Sequence, residues 1–103
     1  MISRVWRGWT SPENADAYES LLRETIFPWI ESVEGYRGAF LLRRDLGGEV
    51  EFVTITRFDS IDAVRAFAGD DYELAVVLPE ADALLSRYDE RSAHYETIVE
   101  PDY

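Results

Sequence analysis

"EVEFVTITRFDSIDAVRAFAGDDYE", residues 49–73, sets the frame for the chain. Its first ten residues are rich in β-branched and aromatic types and read as a strand. Asp59 or Ser60 then caps a helix whose inner face is Ile61, Val64 and Phe67 or Ala68, and Gly69 ends it. A half-solvated antiparallel strand alternates apolar and polar residues, and this one does not. One side offers Val50, Phe52 and Phe58, the other Val53 and Ile55. Both faces therefore ask for cover.

Immediately upstream, "YRGAFLLRR" (36–44) joins this strand through "DLGG" (45–48), a hairpin connection with glycines free to take positive φ. It divides its apolar residues in the same way, Phe40 and Leu42 on one side, Ala39 and Leu41 on the other. "ISRVWRGWT" (2–10) is an earlier strand that stops at Ser11-Pro12. There Ser11 can cap a helix, Pro12 fits its first position, and Glu13 and Asp16 favour its positive end. Ala15, Tyr18, Leu22, Ile26, Trp29 and Val33 then recur every three or four residues, the mark of one buried stripe. Pro28 should kink or locally break that helix near Glu24, whose carbonyl its ring would meet, and Gly35 ends it.

Downstream, the apolar run within residues 70–78 is too short to tell a buried turn from a strand. Pro79, Glu80 and Asp82 open another helical turn through Leu85, and "SAHYETIV" (92–99) is a last strand. The order strand, helix, strand, strand, helix, strand is the α+β, ferredoxin-like βαββαβ arrangement on a four-stranded antiparallel sheet. Right-handed crossovers put both helices on one face. The opposite apolar face would be a sticky patch on a monomer, so a two-fold homodimer packing sheet against sheet is expected, with residues 1–103 forming a single domain.

Composition limits the partners. Hydrophobic residues make up 47% and aromatics 14% of the 103 residues, as in ordinary globular proteins. Asp and Glu outnumber Lys and Arg by 21 to 10, for a net charge of -11. Such a field repels phosphate backbones and anionic membrane surfaces, and no apolar run is long enough to span a bilayer. No nucleic acid or membrane partner is expected. There is no cysteine for a disulfide, thiolate nucleophile or metal thiolate. "MISRVWRG" lacks the order of a signal peptide, which makes the cytoplasm the expected compartment.

"VEGYRGAFLLRRD", "EVEFVTITRFDSIDAVRAFAGDDYE" and "SRYDERSAHYE" together resemble the antibiotic biosynthesis monooxygenase family of the dimeric α/β-barrel superfamily, over nearly the whole chain. The resemblance implies a homodimeric barrel. For characterised branches it implies cofactor-free oxidation of phenolic, polyketide-like substrates by molecular oxygen, or haem degradation. The haem-degrading branch uses an Asn on the first strand, a Trp in the second helix and a His beyond it. Here the first strand has no Asn, the Trp position corresponds to Phe67 and the His position falls near Val77. Haem degradation is therefore disfavoured.

Cofactor-free oxygenation needs a base, a group that steadies negative charge, and a mostly apolar pocket. His94, the only histidine, suits a base near neutrality, or else a structural hydrogen bond to Glu96 or Ser92. Arg57, ending an apolar strand, suits an anion holder or a structural ion pair. Tyr72 could aim its hydroxyl at a substrate or form a lid over the core, and Phe67 is a further candidate for the substrate wall. Trp6 and Trp9 have opposite parity. Trp6 is assigned to the helix-covered pocket, because Arg4 and Gly8 share its side and leave room, while Trp9 goes to core or interface packing or to ligand contact. "DDYE" reads as a solvated acidic loop and "LGG" as a turn, and no serine sits in a nucleophile elbow, so no metal, nicotinamide or flavin cofactor is called for. The leading expectation is a cofactor-independent monooxygenase acting on a small aromatic molecule. Its rivals are a non-catalytic dimeric barrel holding a small hydrophobic ligand and an isomerase on the same scaffold.

Overall fold

Strand β1 (Ile2–Thr10) lies at the centre of one antiparallel sheet, and the computed structural model describes residues 1–101 around it. Strand β3 (Val50–Phe58) pairs β1 along its whole length, from Ile2 opposite Phe58 to Thr10 opposite Val50. The partner of β3 on its far side is β2 (Tyr36–Asp45). On the other edge, β1 meets two short strands, β4 (Leu85–Tyr88) against Gly8–Thr10 and β5 (Ala93–Glu96) against Ile2–Val5. The order β2-β3-β1-β4 is that of the ferredoxin-like fold.

Five strands thus stand where four were expected. Residues 89–92 bulge out of the ladder and split the last strand in two. Leu85, expected to end a helical turn, instead begins β4, and the last strand is confined to Ala93–Glu96 rather than 92–99. The bulge remains tethered. Asp89 donates its amide to the Arg7 carbonyl at 2.9 Å, and Ser92 donates to the Glu73 carbonyl at 2.6 Å.

The first helical region also departs from an unbroken helix. The Ser11 hydroxyl makes no capping bond; its carbonyl instead accepts the Asn14 amide at 3.1 Å at the start of a 3-10 turn (Pro12–Asn14). α1 (Ala15–Leu21) follows, then a π-turn (Leu22–Ile26), then α2 (Phe27–Ile30). Phe27 donates to the Leu22 carbonyl, five residues back. Pro28, which has no N–H to give, is accommodated by this wider turn instead of by a break. One added residue per turn moves the buried stripe from Trp29 to Ile30, which is 4% exposed while Trp29 is 43% exposed.

α3 (Ile61–Ala68) begins as expected. Ser60 Oγ accepts the Ala63 amide at 3.2 Å, so Ser60 is the cap of the two candidates. Gly35 has φ +91°, and a Cβ there would lie 2.7 Å from the Ala63 Cβ, so the start of β2 passes this helix at glycine distance. Residues 70–78 form no helix or extended strand, only an isolated bridge between Leu74 and Arg91, before the short α4 (Pro79–Asp82). The helices lie on one side of the sheet, over Val50, Phe52, Thr54, Thr56 and Phe58, all of them buried. No helix among the described residues is long and apolar enough to cross a membrane.

Candidate functional site

Between the helices and the sheet lies a narrow, partly open cleft with a cavity volume of about 60 Å³. Its body is apolar, with Trp6, Tyr18, Leu22, Phe27, Trp29 and Phe67 among its walls and Val76–Leu78 along one side. Trp6 projects from β1 on the helix side. Gly8, two residues on, keeps the wall open: a Cβ there would meet the Trp6 ring at 2.9 Å. The indole is anchored by donation of its N–H to the Asp89 carbonyl at 2.7 Å, one use of the bulge.

The polar end of the cleft is Arg4. It shares the side of Trp6, lines the cleft and is only 4% exposed. Among the described residues no carboxylate pairs with it. Its Nη1 donates to the Tyr72 carbonyl and, at 3.0 Å, to His94 Nε2, and its Nη2 donates to the Leu74 carbonyl at 3.1 Å. Its guanidinium sits 5.6 Å from the centre of the Phe67 ring. Burial lowers its pKa to about 10, so it remains a cation at neutral pH.

His94 stands beside Arg4. Because a guanidinium only donates, Nε2 must accept, which places the imidazole proton on Nδ1; that nitrogen is buried without a protein partner among the described residues. Burial, and after it the charge of Arg4, lower the His94 pKa below its ordinary value, while Glu73 opposes the shift. The imidazole is therefore neutral at neutral pH. It supports Arg4 from behind and is not part of the cleft wall.

The other expected site residues divide between the two sides of the sheet. Phe67 lines the cleft, stacked on Phe58 and edge-on to Trp29. Tyr72 packs edge-on against His94 and under Arg65, and it serves Arg4 through its carbonyl; its ring is not among the cleft's walls. Arg57 lies outside the cleft, ion-paired with Glu100. It alternates with the buried Thr56 and Phe58, so it faces away from the helices. The arginine that reaches the cleft is Arg4. Trp9 also points to the open side, where Arg87 lies 3.9 Å from its ring and Arg7 5.5 Å. Within "DDYE", Asp71 and Glu73 pair with Arg91, and no group of three metal-ligating side chains occurs among the described residues.

Arg4, Thr54, Thr56 and Ser92, all cleft residues, were not singled out by sequence reasoning. The parity shared with Trp6 was the signal available for Arg4. Ser92 carried none, because its burial follows from the irregular bulge. A family model described as antibiotic biosynthesis monooxygenase matches residues 1–77. The chain belongs to this family. Three solved structures share its fold. SnoaB of Streptomyces nogalater, a cofactor-independent oxygenase, is 24% identical with a TM-score of 0.65, over 96% of this chain and 94% of that one. The monooxygenase ActVA-Orf6 of Streptomyces coelicolor, solved with nanaomycin D, is 14% identical with a TM-score of 0.60, over 98% and 92%. The haem degrader MhuD of Mycobacterium tuberculosis, solved with two hemes, is 19% identical with a TM-score of 0.58, over 99% and 100%. Comparison with curated protein sequences returned no match. At these identities the likeness carries the fold and leaves the chemistry to the residues.

Proposed function

We propose that this protein is a cofactor-independent monooxygenase of phenolic, polyketide-like aromatic molecules, working as a two-fold dimer. The observation that carries the reading is a buried guanidinium with no carboxylate partner among the described residues, at the end of an apolar, aromatic-walled cleft. A flat ring system enters between Trp6 and Phe67, and its phenol oxygen reaches Arg4. There the cation favours the phenolate, the electron-rich form that reacts with oxygen. For the departing proton, the imidazole of His94 turns towards the cleft, Nε2 releasing the Arg4 N–H that it accepts at 3.0 Å and taking the phenol proton in its place. The anion gives its electrons to molecular oxygen, a carbon peroxide forms, and loss of water leaves a quinone carbonyl. For anthrone the balance is one O2 consumed, one oxygen atom kept in anthraquinone and one released as water.

A dimer is supported by the side of the sheet that the helices leave bare. Phe40 and Leu42 are each 49% exposed there, beside Val53, Ile55 and Tyr95. A second copy packed on that face would remove the patch from water.

Anthrone with dissolved oxygen tests the activity. Oxygen uptake above the uncatalysed rate, stoichiometric with anthraquinone, is expected, and it should fall by roughly 100-fold or more in His94→Ala, within the usual range for loss of a general base. An unchanged rate in His94→Ala overturns the assignment of base. A binding role without chemistry is the second reading, favoured by the position of His94 behind Arg4 rather than on the cleft wall. It predicts binding of flat aromatics with no oxygen uptake from any phenol.

A further inference from the structure

The donors that Arg4 has left over say what the ligand carries. The guanidinium spends three N–H groups on Tyr72, His94 and Leu74. Nε–H and the second Nη2–H have no partner among the described residues. Nε and Nη2 are neighbouring nitrogens, and N–H groups on such a pair can grip a planar two-oxygen anion in bidentate fashion. Ser92 adds a second observation. It is 4% exposed, lines the same cleft, and its hydroxyl has no protein partner among the described residues. A buried hydroxyl without a partner and a buried cation without a counter-charge among the described residues, both on one cavity, carry a desolvation cost that a bound anion would offset. The local charge favours this despite the overall excess of acid. Glu73, the carboxylate that bears on His94, is itself paired with Arg91 at 3.4 Å.

We infer that the cleft selects flat aromatic molecules bearing a two-oxygen delocalised anion, held by the free edge of Arg4 and the Ser92 hydroxyl. The anion is either a carboxylate or a vinylogous acid, in which an enol and a conjugated carbonyl share one charge. This deepens the proposed function and rests on that reading for the site, though not for the reaction. Neutral phenols such as anthrone would then be poor ligands that react slowly, and acidic ones the better substrates.

The test measures binding of three probes by calorimetry and by quenching of tryptophan fluorescence: 2-naphthoate, its neutral isostere 2-naphthamide, and 2-hydroxy-1,4-naphthoquinone, a vinylogous acid. At least one of the two anions should bind about tenfold or more tightly than the amide, as expected for a charge-assisted bidentate pair. Which anion wins identifies the source of the charge. Arg4→Lys keeps the charge without the fork and should reduce the preference to within about threefold. Ser92→Ala, which leaves Arg4 in place, should weaken anion binding while sparing the amide. Should Arg4→Lys fail to fold by circular dichroism, the wild-type comparison and Ser92→Ala still decide. Equal binding of anions and amide by the wild type overturns the inference, as does an anion preference that survives intact in both variants. The two proposals can fail separately. Oxygen uptake from anthrone without anion preference removes this one, and anion preference without oxygen uptake from any phenol removes the enzyme.

Discussion

The two faces of the sheet are made from alternate residues of the same strands, yet they end differently. On the helix side, Val50, Phe52, Thr54, Thr56 and Phe58 are all 8% exposed or less. On the other side, Phe40 and Leu42 stand half in water. Even the open face is not uniform. At one end Trp9 is only 6% exposed beneath Arg7 and Arg87, and Glu51 is 6% exposed beside Arg44, so charged stems close what no helix reaches. Beside Tyr95 the Arg57–Glu100 pair does the same, but towards Phe40 and Leu42 nothing comparable lies over the strands among the described residues. One face is finished by the chain itself and has space left for a ligand; the other has the composition of an interface.

Single substitutions on the finished face should cost most. Phe52 is fully buried, edge-on to Tyr18 at 4.9 Å. Phe52→Ala should destabilise by about 3–5 kcal/mol, combining lost transfer energy with a cavity, and lower Tm by roughly 15 °C or more. Thermal denaturation followed by circular dichroism checks this. A loss as small as that from an exposed residue would mean that the helix layer is not packed on the sheet.

The open face makes the opposite forecast. Phe40→Lys combined with Leu42→Lys should leave the monomer's secondary structure intact but convert a dimer to a monomer in sedimentation equilibrium, because two ammonium groups would have to be buried unpaired. Chains that are monomeric before substitution would refute the dimer outright. Between these extremes lies Gly35→Ala. The added methyl must displace the Ala63 Cβ and take a positive φ, and it should cost about 1–3 kcal/mol, read as a shift in the urea midpoint with an unchanged m-value.

The division between the faces was legible in the sequence because strand parity is a period of two, and Val50, Phe52 and Phe58 declare one side wherever the strand begins. Parity also carried Trp6 to the cleft side. It did not separate Arg4 from Arg57. Both are arginines on apolar strands, and the odd and even positions of β3 differ in fate only once the helices choose a side. Phe52 and Phe58 share parity, and Arg57 lies between Thr56 and Phe58, so its place on the opposite side follows from the same alternation once Phe58 is buried. The stripe of the first helix failed at Trp29 for a different reason. A π-turn adds one residue to the period, and nothing local except Pro28 announces it. The bulge at residues 89–92, which anchors Trp6 and buries Ser92, depends on contacts with β1 and Glu73 that are distant in sequence. No window around it contains its cause.

The smallest expected effect lies at the edge of the finished face, where His94 is half-buried and solvent screens part of its interaction. Burial first and Arg4 second hold its pKa below the ordinary value of 6.5. A base with a lowered pKa in the folded state binds its proton better when unfolded. Its contribution to stability is therefore complete above about pH 6.5 and is lost as the pH falls through the lowered value. Glu49, Asp59 and Asp71 act in a different window, because hydrogen bonds from Arg87, Arg37 and Arg91 hold their pKa values below the ordinary carboxylate range. Their contributions are complete above that range and are lost as the pH falls through it towards the lowered values. The urea midpoint of the wild type should thus decline below about pH 6.5, ahead of the acid limb, and His94→Gln, which keeps a side-chain acceptor for Arg4, should flatten that early decline and leave the acid limb alone. A decline of equal size in His94→Gln would mean that the imidazole does not feel the buried cation, and would take with it the proton acceptor that the oxygenation chemistry requires.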